Sequence, residues 1–278
     1  MEFNWLLSIL YGVVSGFTTF LPISASAHQG LFIQLTGIEG SVEPFRLAAC
    51  LGALGFLLIT CRPTLSRLRR EQKIAAIPAK RRRRQPDFLA LRQARQLRVA
   101  VIPMVLCAVV GWFLRSFGAT LWFLAALMVL NGILLYLPQF FRRGNKSVAN
   151  LSYLDSLLGG LGCGFAFVPG VSGIGCGMSA LSFCGSSRQT ALDMGLLLMI
   201  PCLVLIGITS VLTTFFAGLA SISFGAFFCC ILTAGGAVLG AWIGVLLMRF
   251  LAVNIGYSGF AFYSWGMALL MFILYLSI

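Results

Sequence analysis

His28, the one histidine of the chain, stands four residues after Ser24 and two after Ser26, in an apolar stretch broken at Pro22. A second stretch is broken at Pro169-Gly170 and is followed at once by Ser172. Thr18 and Thr19 precede the first break. These residue types suit an anion. Hydroxyls donate to oxyanions, and a helix restarting after a break presents free N–H groups and the positive end of its dipole. An imidazole can donate, accept or attack near neutral pH. Neither break contains a carboxylate; the nearest are Glu39, Glu43, Asp155 and Asp193. The pattern therefore fits an anionic lipid headgroup better than a cation. A lone histidine is often structural, but its place beside a break and two serines makes His28 a candidate. Asp193 reads as a helix-start carboxylate or a partner of Arg188.

The elements that must position these residues are membrane helices. Of 278 residues, 59% are hydrophobic and 10% charged, with a mean hydropathy of +0.98. Soluble domains average about 45–50% apolar and about 25% charged. An ordinary soluble enzyme, a disordered chain and a disulfide-stapled secreted module are excluded. The fold expected is an all-α integral membrane protein of about six transmembrane helices plus two re-entrant helical hairpins. Apolar runs cover 4–35, 44–61, 99–114, 119–138, 154–183, 190–217, 224–250 and 256–277. A span needs about 20 apolar residues, so six runs are single spans. The other two, 4–35 and 154–183, contain the breaks. Broken helices inside a bilayer are tolerated only where protein or a polar cavity satisfies the freed backbone, and a matching pair of them marks a binding site.

The two breaks also resemble each other. Gly16-Phe17-Thr18-Thr19-Phe20-Leu21-Pro22-Ile23-Ser24 parallels Gly164-Phe165-Ala166-Phe167-Val168-Pro169-Gly170-Val171-Ser172. Each is followed by three spans, which gives two inverted repeats, 1–138 and 151–278, joined by a linker, 139–153, that carries Arg142, Arg143 and Lys146. The net charge of +13 is concentrated, with 13 of the 20 Lys and Arg falling between Arg62 and Arg98. No aromatics interleave with them, so nucleic acid is not the expected partner. Segment 62–98 is expected to be a solvated cytoplasmic loop facing anionic lipid headgroups, with a helical pattern only from Phe88 to Leu97. The loop with Glu39 and Glu43 then lies outside, and both termini with it. Residues 1–5 carry no positive charge and do not read as a cleaved signal peptide. The nine cysteines form no CxxC pair and read as small packing residues; Gly159, Gly160, Gly162, Gly175 and Gly177 read as close-packing devices.

Phe20-Leu21-Pro22-Ile23-Ser24-Ala25-Ser26-Ala27-His28 resembles the F-L-P-I-S-S-T-G-H segment of the bacterial undecaprenyl-diphosphate phosphatase family, the bacitracin-resistance type. Pro169-Gly170-Val171-Ser172 resembles the start of that family's P-G-x-S-R-S-x-x-T motif, and Asp155, Ile200-Pro201 and Leu51-Gly52 resemble further family positions. The resemblance implies six spans with two re-entrant hairpins in a bacterial cytoplasmic membrane. It also implies an external site that removes a phosphate from undecaprenyl diphosphate, the lipid carrier of cell-wall precursors. That site uses Mg or Ca, two glutamates, a histidine and an arginine.

The chain departs from the family at the chemistry. The two glutamates fall at Ser15 and Thr19, the second serine of P-I-S-S at Ala25, the arginine at Gly173, the next serine at Ile174 and the threonine at Gly177. Losing one comparable charge stabiliser costs about 10²–10³-fold in rate. Without the glutamates no metal ligand set is evident, and without the arginine the phosphate clamp is missing. The residues thus favour binding or translocation of a polyprenyl phosphate or diphosphate, with Ser15, Thr19, Ser24, Ser26, Gly170 and Gly173 around the headgroup. The alternative is an active phosphatase rebuilt around His28 and Ser172; a third reading is an inactive scaffold. A homodimer is compatible with all three.

Overall fold

A computed structural model describes residues 3–114, 120–141, 144–216, 223–254 and 256–277, with backbone alone at 252–254. Arg142 and Arg143 of the linker, and the run ends at 119 and 217, lie outside the described residues. Among those described there are eleven α-helices and no strand. They are α1 (Trp5–Thr19), α2 (Ala25–Thr36), α3 (Glu43–Thr60), α4 (Arg62–Ala76), α5 (Phe88–Leu114), α6 (Leu121–Tyr136), α7 (Tyr153–Gly164), α8 (Gly173–Phe183), α9 (Arg188–Phe216), α10 (Phe224–Asn254) and α11 (Phe260–Ser277).

Six of these are long and apolar enough to cross a bilayer: α3, α5, α6 with the 3₁₀ turn Leu137–Phe140 that extends it, α9, α10 and α11. The chain is a multi-pass membrane protein. Large apolar side chains such as Leu106, Phe113, Ile133 and Phe272 are exposed on these helices. Patches of that extent are not left in water; here they face lipid. The remaining apolar helices are short, 15 residues in α1, 12 in α2, 12 in α7 and 11 in α8. At about 1.5 Å per residue, none reaches across a hydrocarbon core of about 30 Å.

Local chemistry sets the ends of these short helices. Asn4 caps α1 by accepting from the Leu7 N–H at 2.8 Å. Ser152 and Asp155 form a reciprocal capping box on α7. Gly37, at φ 59°, closes α2 in the left-handed conformation.

Glycines let the short helices press against long ones. α1 lies along α10, as α7 lies along α5. A Cβ on Gly16 would sit 2.1 Å from the Ala237 carbonyl oxygen, and one on Gly240 2.1 Å from that of Val13. On the other pair, a Cβ on Gly160 would sit 2.3 Å from the Ala100 oxygen. α3 packs on α9 and α10, α5 on α9, and α6 on α11. The main core gathers Phe20 from the first break and Leu57, Met104, Leu135, Ile174 and Leu198 from five different helices. Seven of the nine cysteines are buried and all nine are free thiols.

Segment 62–98 is not the solvated loop its charge suggests. α4 occupies its first half, and α5 begins at Phe88, well before the apolar run at 99. The charges themselves build this structure. Glu71, 2% exposed, accepts from Arg84 Nη2 at 2.6 Å, from Arg70 Nε at 3.4 Å and from the Asp87 N–H at 3.0 Å. Arg92 and Gln96 on the extension of α5 donate to the Leu151 carbonyl, both at 2.7 Å. Leu68, Ala90 and Ala94 close a small apolar cluster between α4 and α5.

The Arg84 guanidinium and the Asp87 N–H hold the Glu71 carboxyl down from 4.5 to about 2. A depressed carboxylate contributes stability that is fully present above its unfolded pKa and is lost as pH falls through its folded one. The α4–α5 connection is therefore expected to loosen between about pH 4.5 and about pH 2. Amide exchange at residues 82–87, followed against pH, should show it. Glu71→Gln should flatten that dependence; an unchanged profile would remove Glu71 from this role.

Candidate functional site

The two breaks meet. The Gly170 N–H donates to Ser26 Oγ at 3.0 Å, and Ser172 Oγ donates to the Leu21 carbonyl at 3.1 Å. Asn131 of α6, fully buried, joins them from the side. Its Nδ2 donates to the Pro22 carbonyl at 3.2 Å and to Ser264 Oγ at 2.9 Å, while its Oδ1 accepts the Ser172 N–H at 2.9 Å. Backbone groups freed by one break are thus satisfied by side chains of the other and by one asparagine, as a low-dielectric setting demands. Ser24 sits at φ 64°, the sole positive φ outside glycine among the described residues. Such backbone is held only where its surroundings over-determine it; here Ser24 Oγ caps α2 through the Ala27 N–H and lies 3.2 Å from Ser26 Oγ.

A cavity of about 640 Å³ opens above this junction. The end of α1 supplies Ser15, Thr18 and Thr19, and the start of α2 supplies Ser26 and Gln29. The second break supplies Pro169, Ser172 and Gly173; α9 supplies Thr209, Ser210 and Thr213. Apolar wall comes from Ala108, Phe167, Met199 and Leu203. The first turns of α3 add an ion pair, Glu43 and Arg46, bonded at 3.0 Å. Glu43 also accepts from Thr213 Oγ1 at 3.3 Å. Glu43 starts this helix and Pro44 follows it, in the first turn, where the helix dipole favours a carboxylate.

Of the residues singled out in the sequence, Ser15, Thr19, Ser26, Ser172 and Gly173 line the cavity. Ser24 and Gly170 belong to the framework beneath it. His28 faces elsewhere. Its Nδ1 lies 2.8 Å from the Ser24 carbonyl and its Nε2 2.8 Å from the Tyr263 hydroxyl on α11. A carbonyl only accepts, so Nδ1 carries a proton, and Nε2 pairs with the tyrosine hydroxyl. The Ser172 hydroxyl is committed too, donating to Leu21 and accepting from the Gly175 N–H at 3.3 Å. Gly173 has no room for a longer side chain: a Cβ there would lie 2.6 Å from both the Cys163 carbonyl oxygen and the Ala166 Cβ.

His28→Ala is accordingly expected to leave headgroup binding within about two-fold, the range of changes remote from a site. Titration of lipid phosphate onto the variant checks this; a large loss of affinity would place the imidazole at the ligand.

Arg46, Glu43, Gln29 and the α9 hydroxyls were not marked by the sequence as site residues. Arg46 carried a signal nonetheless. An arginine at the start of an apolar span is a functional candidate by default, but beside Glu39 and Glu43 it reads as a loop boundary.

The donor set does not fit the divalent metal that the resemblance implies. Mg²⁺ and Ca²⁺ take several hard oxygens, carboxylates foremost. Ser15 and Thr19 stand where two carboxylates would be needed, and Glu43 already holds Arg46. No group of three or more His, Cys, Asp and Glu able to hold a metal occurs among the described residues. The arrangement can hold an anion through one guanidinium and several hydroxyls.

Comparison with known proteins gives the lineage. The family model described as "Bacitracin resistance protein BacA" matches residues 8–270. An undecaprenyl-diphosphatase of Pelotomaculum thermopropionicum is 30% identical over 226 residues, covering 77% of this chain and 81% of its own. One from a Synechococcus strain is 28% identical over 218 residues, covering 76% and 75%. One from Methanococcus maripaludis is 26% identical over 197 residues, covering 69% and 73%. With the six spanning helices and the meeting of the two breaks, this match along nearly the whole chain makes it a multi-pass inner-membrane protein that belongs to the BacA family of bacitracin resistance proteins.

Proposed function

We propose that the chain binds the phosphate head of a polyprenyl phosphate or diphosphate in the cavity and moves it without hydrolysing it. The observation that carries this reading is the cavity's inventory: one ion pair, several hydroxyls and, among the described residues, no group of three or more His, Cys, Asp and Glu able to hold a metal. Cleavage of a diphosphate needs cations on the transferring group and an aligned nucleophile. Binding needs only donors and a matching charge. The apolar wall suits the first isoprene units of the lipid, so headgroup and tail share one cleft.

The architecture supports movement. In this reading α1–α2 and α7–α8 are re-entrant hairpins of two inverted halves, and the matched packing of α1 on α10 and α7 on α5 supports it. Ligand sites at the meeting point of broken helices are typical of alternating access. The cavity opens on the side of loop 37–42, away from the basic α4, hence outward by the positive-inside rule. The apolar core around Leu57, Leu135 and Ile174 closes the way below.

Family membership favours the other reading, an active phosphatase around His28 and Ser172. The imidazole, held by Ser24 and Tyr263 away from the cavity, and the committed serine hydroxyl weigh against it. Reconstitution into vesicles tests the transport step. Labelled undecaprenyl phosphate should cross the bilayer faster in protein-containing vesicles than in protein-free ones. Equal rates would reduce the chain to a binder.

A further inference from the structure

We propose that Arg46 is the cation that takes the ligand's phosphate, by exchanging its bond to Glu43 for one to the ligand, and that this makes the ligand a lipid monophosphate. The inference rests on the reading above, that the cavity holds a lipid phosphate.

Arg46 is the one basic side chain among the described residues of the cavity wall. It is bonded to Glu43 through Nη1. Its Nε is buried and makes no well-formed hydrogen bond, and the same holds for the hydroxyls of Tyr11 and Ser15 beside it. Tyr11 is 0% exposed and Ser15 1%. A guanidinium N–H and two hydroxyls are thus gathered, buried, at one wall of the cavity, where Glu43 is the only carboxylate of the described lining. An oxyanion at that wall would accept from them. Guanidinium meets phosphate through two parallel N–H···O bonds, which one phosphate group completes.

The charge count selects the class. Arg46 and Glu43 sum to zero, so the site offers a single cation and only once Glu43 is displaced. A phosphate monoester carries about −1.5 to −2 charges, and a diphosphate carries a further phosphate that would sit near Glu43 with no second cation. Burying unpaired charge is costly. Glu43 thus acts as a stand-in for the ligand and as a filter against the larger charge.

The test is equilibrium binding of undecaprenyl phosphate and of undecaprenyl diphosphate, in detergent micelles, to the full chain and its variants. Arg46→Gln should weaken monophosphate binding about 10–100-fold, the effect of losing a charge-assisted pair. Arg46→Lys should recover part of it. Glu43→Gln should tighten binding about 3–10-fold, because the competing carboxylate is gone, and a merely structural ion pair would not produce that gain. The unmodified chain should prefer the monophosphate. Equal affinity of the chain and Arg46→Gln would overturn the assignment of Arg46 while leaving the cavity reading intact. Should Arg46→Gln fail to fold, Glu43→Gln decides: no tightening overturns the exchange. Tighter binding of the diphosphate overturns the ligand class. No binding by the unmodified chain would instead sink the underlying reading.

Discussion

Replacing Asn131 by leucine is expected to cost about 3–5 kcal/mol and to yield a protein that loses its fold on mild heating in detergent. One side chain here serves three buried groups: the Pro22 carbonyl, the Ser264 hydroxyl and the Ser172 N–H. Each left unpaired costs about 1–3 kcal/mol, and the low dielectric allows no water to substitute. Leucine has the branched shape of asparagine, with somewhat greater volume, but neither its donors nor its acceptor. The loss should also loosen the seam between the two breaks and with it the cavity floor, so lipid phosphate binding should fall with stability. Thermal unfolding followed by exposure of buried cysteines measures the first effect. A melting temperature unchanged by Asn131→Leu would mean that the breaks are held by packing alone.

Gly16→Ala is the second large effect. The added methyl would lie 2.1 Å from the Ala237 carbonyl oxygen and 2.8 Å from its Cα. Both are backbone atoms of a long helix, so no side-chain rotation relieves the clash, and α1 must move off α10. Overpacking that flexible side chains absorb costs about 1–3 kcal/mol; this site should be at the top of that range or beyond it. The displacement carries Ser15 and Thr19 with it, since they flank Gly16 on the same helix and line the cavity. Reduced stability and weakened headgroup binding should therefore appear together. Gly207→Ala on α9, where an added Cβ meets nothing within 4 Å, is the control and should change neither. Wild-type stability in Gly16→Ala would show that α1 has slack against α10.

The large features of the fold were legible because membrane burial writes them in long apolar runs. The breaks at Pro22 and Pro169-Gly170 were legible for the same reason, since proline and glycine interrupt a run that nothing else interrupts. Segment 62–98 was misread because its signal is charge, and charge alone does not distinguish a solvated face from a network. Glu71, one of two carboxylates among the arginines of this segment, organises α4 against α5 through bonds to residues up to sixteen positions away. Among the site residues, those beside the breaks were visible from sequence: Ser15, Thr19, Ser26, Ser172 and Gly173. The direction of a side chain was not. His28 and Gln29 are adjacent on α2, and which of them faces the cavity depends on how α2 docks against α11, a contact 235 residues away in the chain. Arg46 and Thr213 reach the cavity by the same kind of long-range packing, from α3 and α9.

The central claim is that this member of a diphosphatase family holds a lipid phosphate without cleaving it. The most direct measurement is phosphate release from undecaprenyl diphosphate by the purified chain, with Mg²⁺ or Ca²⁺ supplied, alongside binding of undecaprenyl phosphate to the same sample. The account predicts saturable binding and no release above a protein-free control. Metal-dependent turnover that His28→Ala abolishes would contradict it, and would mean that the imidazole leaves Tyr263 to work in the cavity.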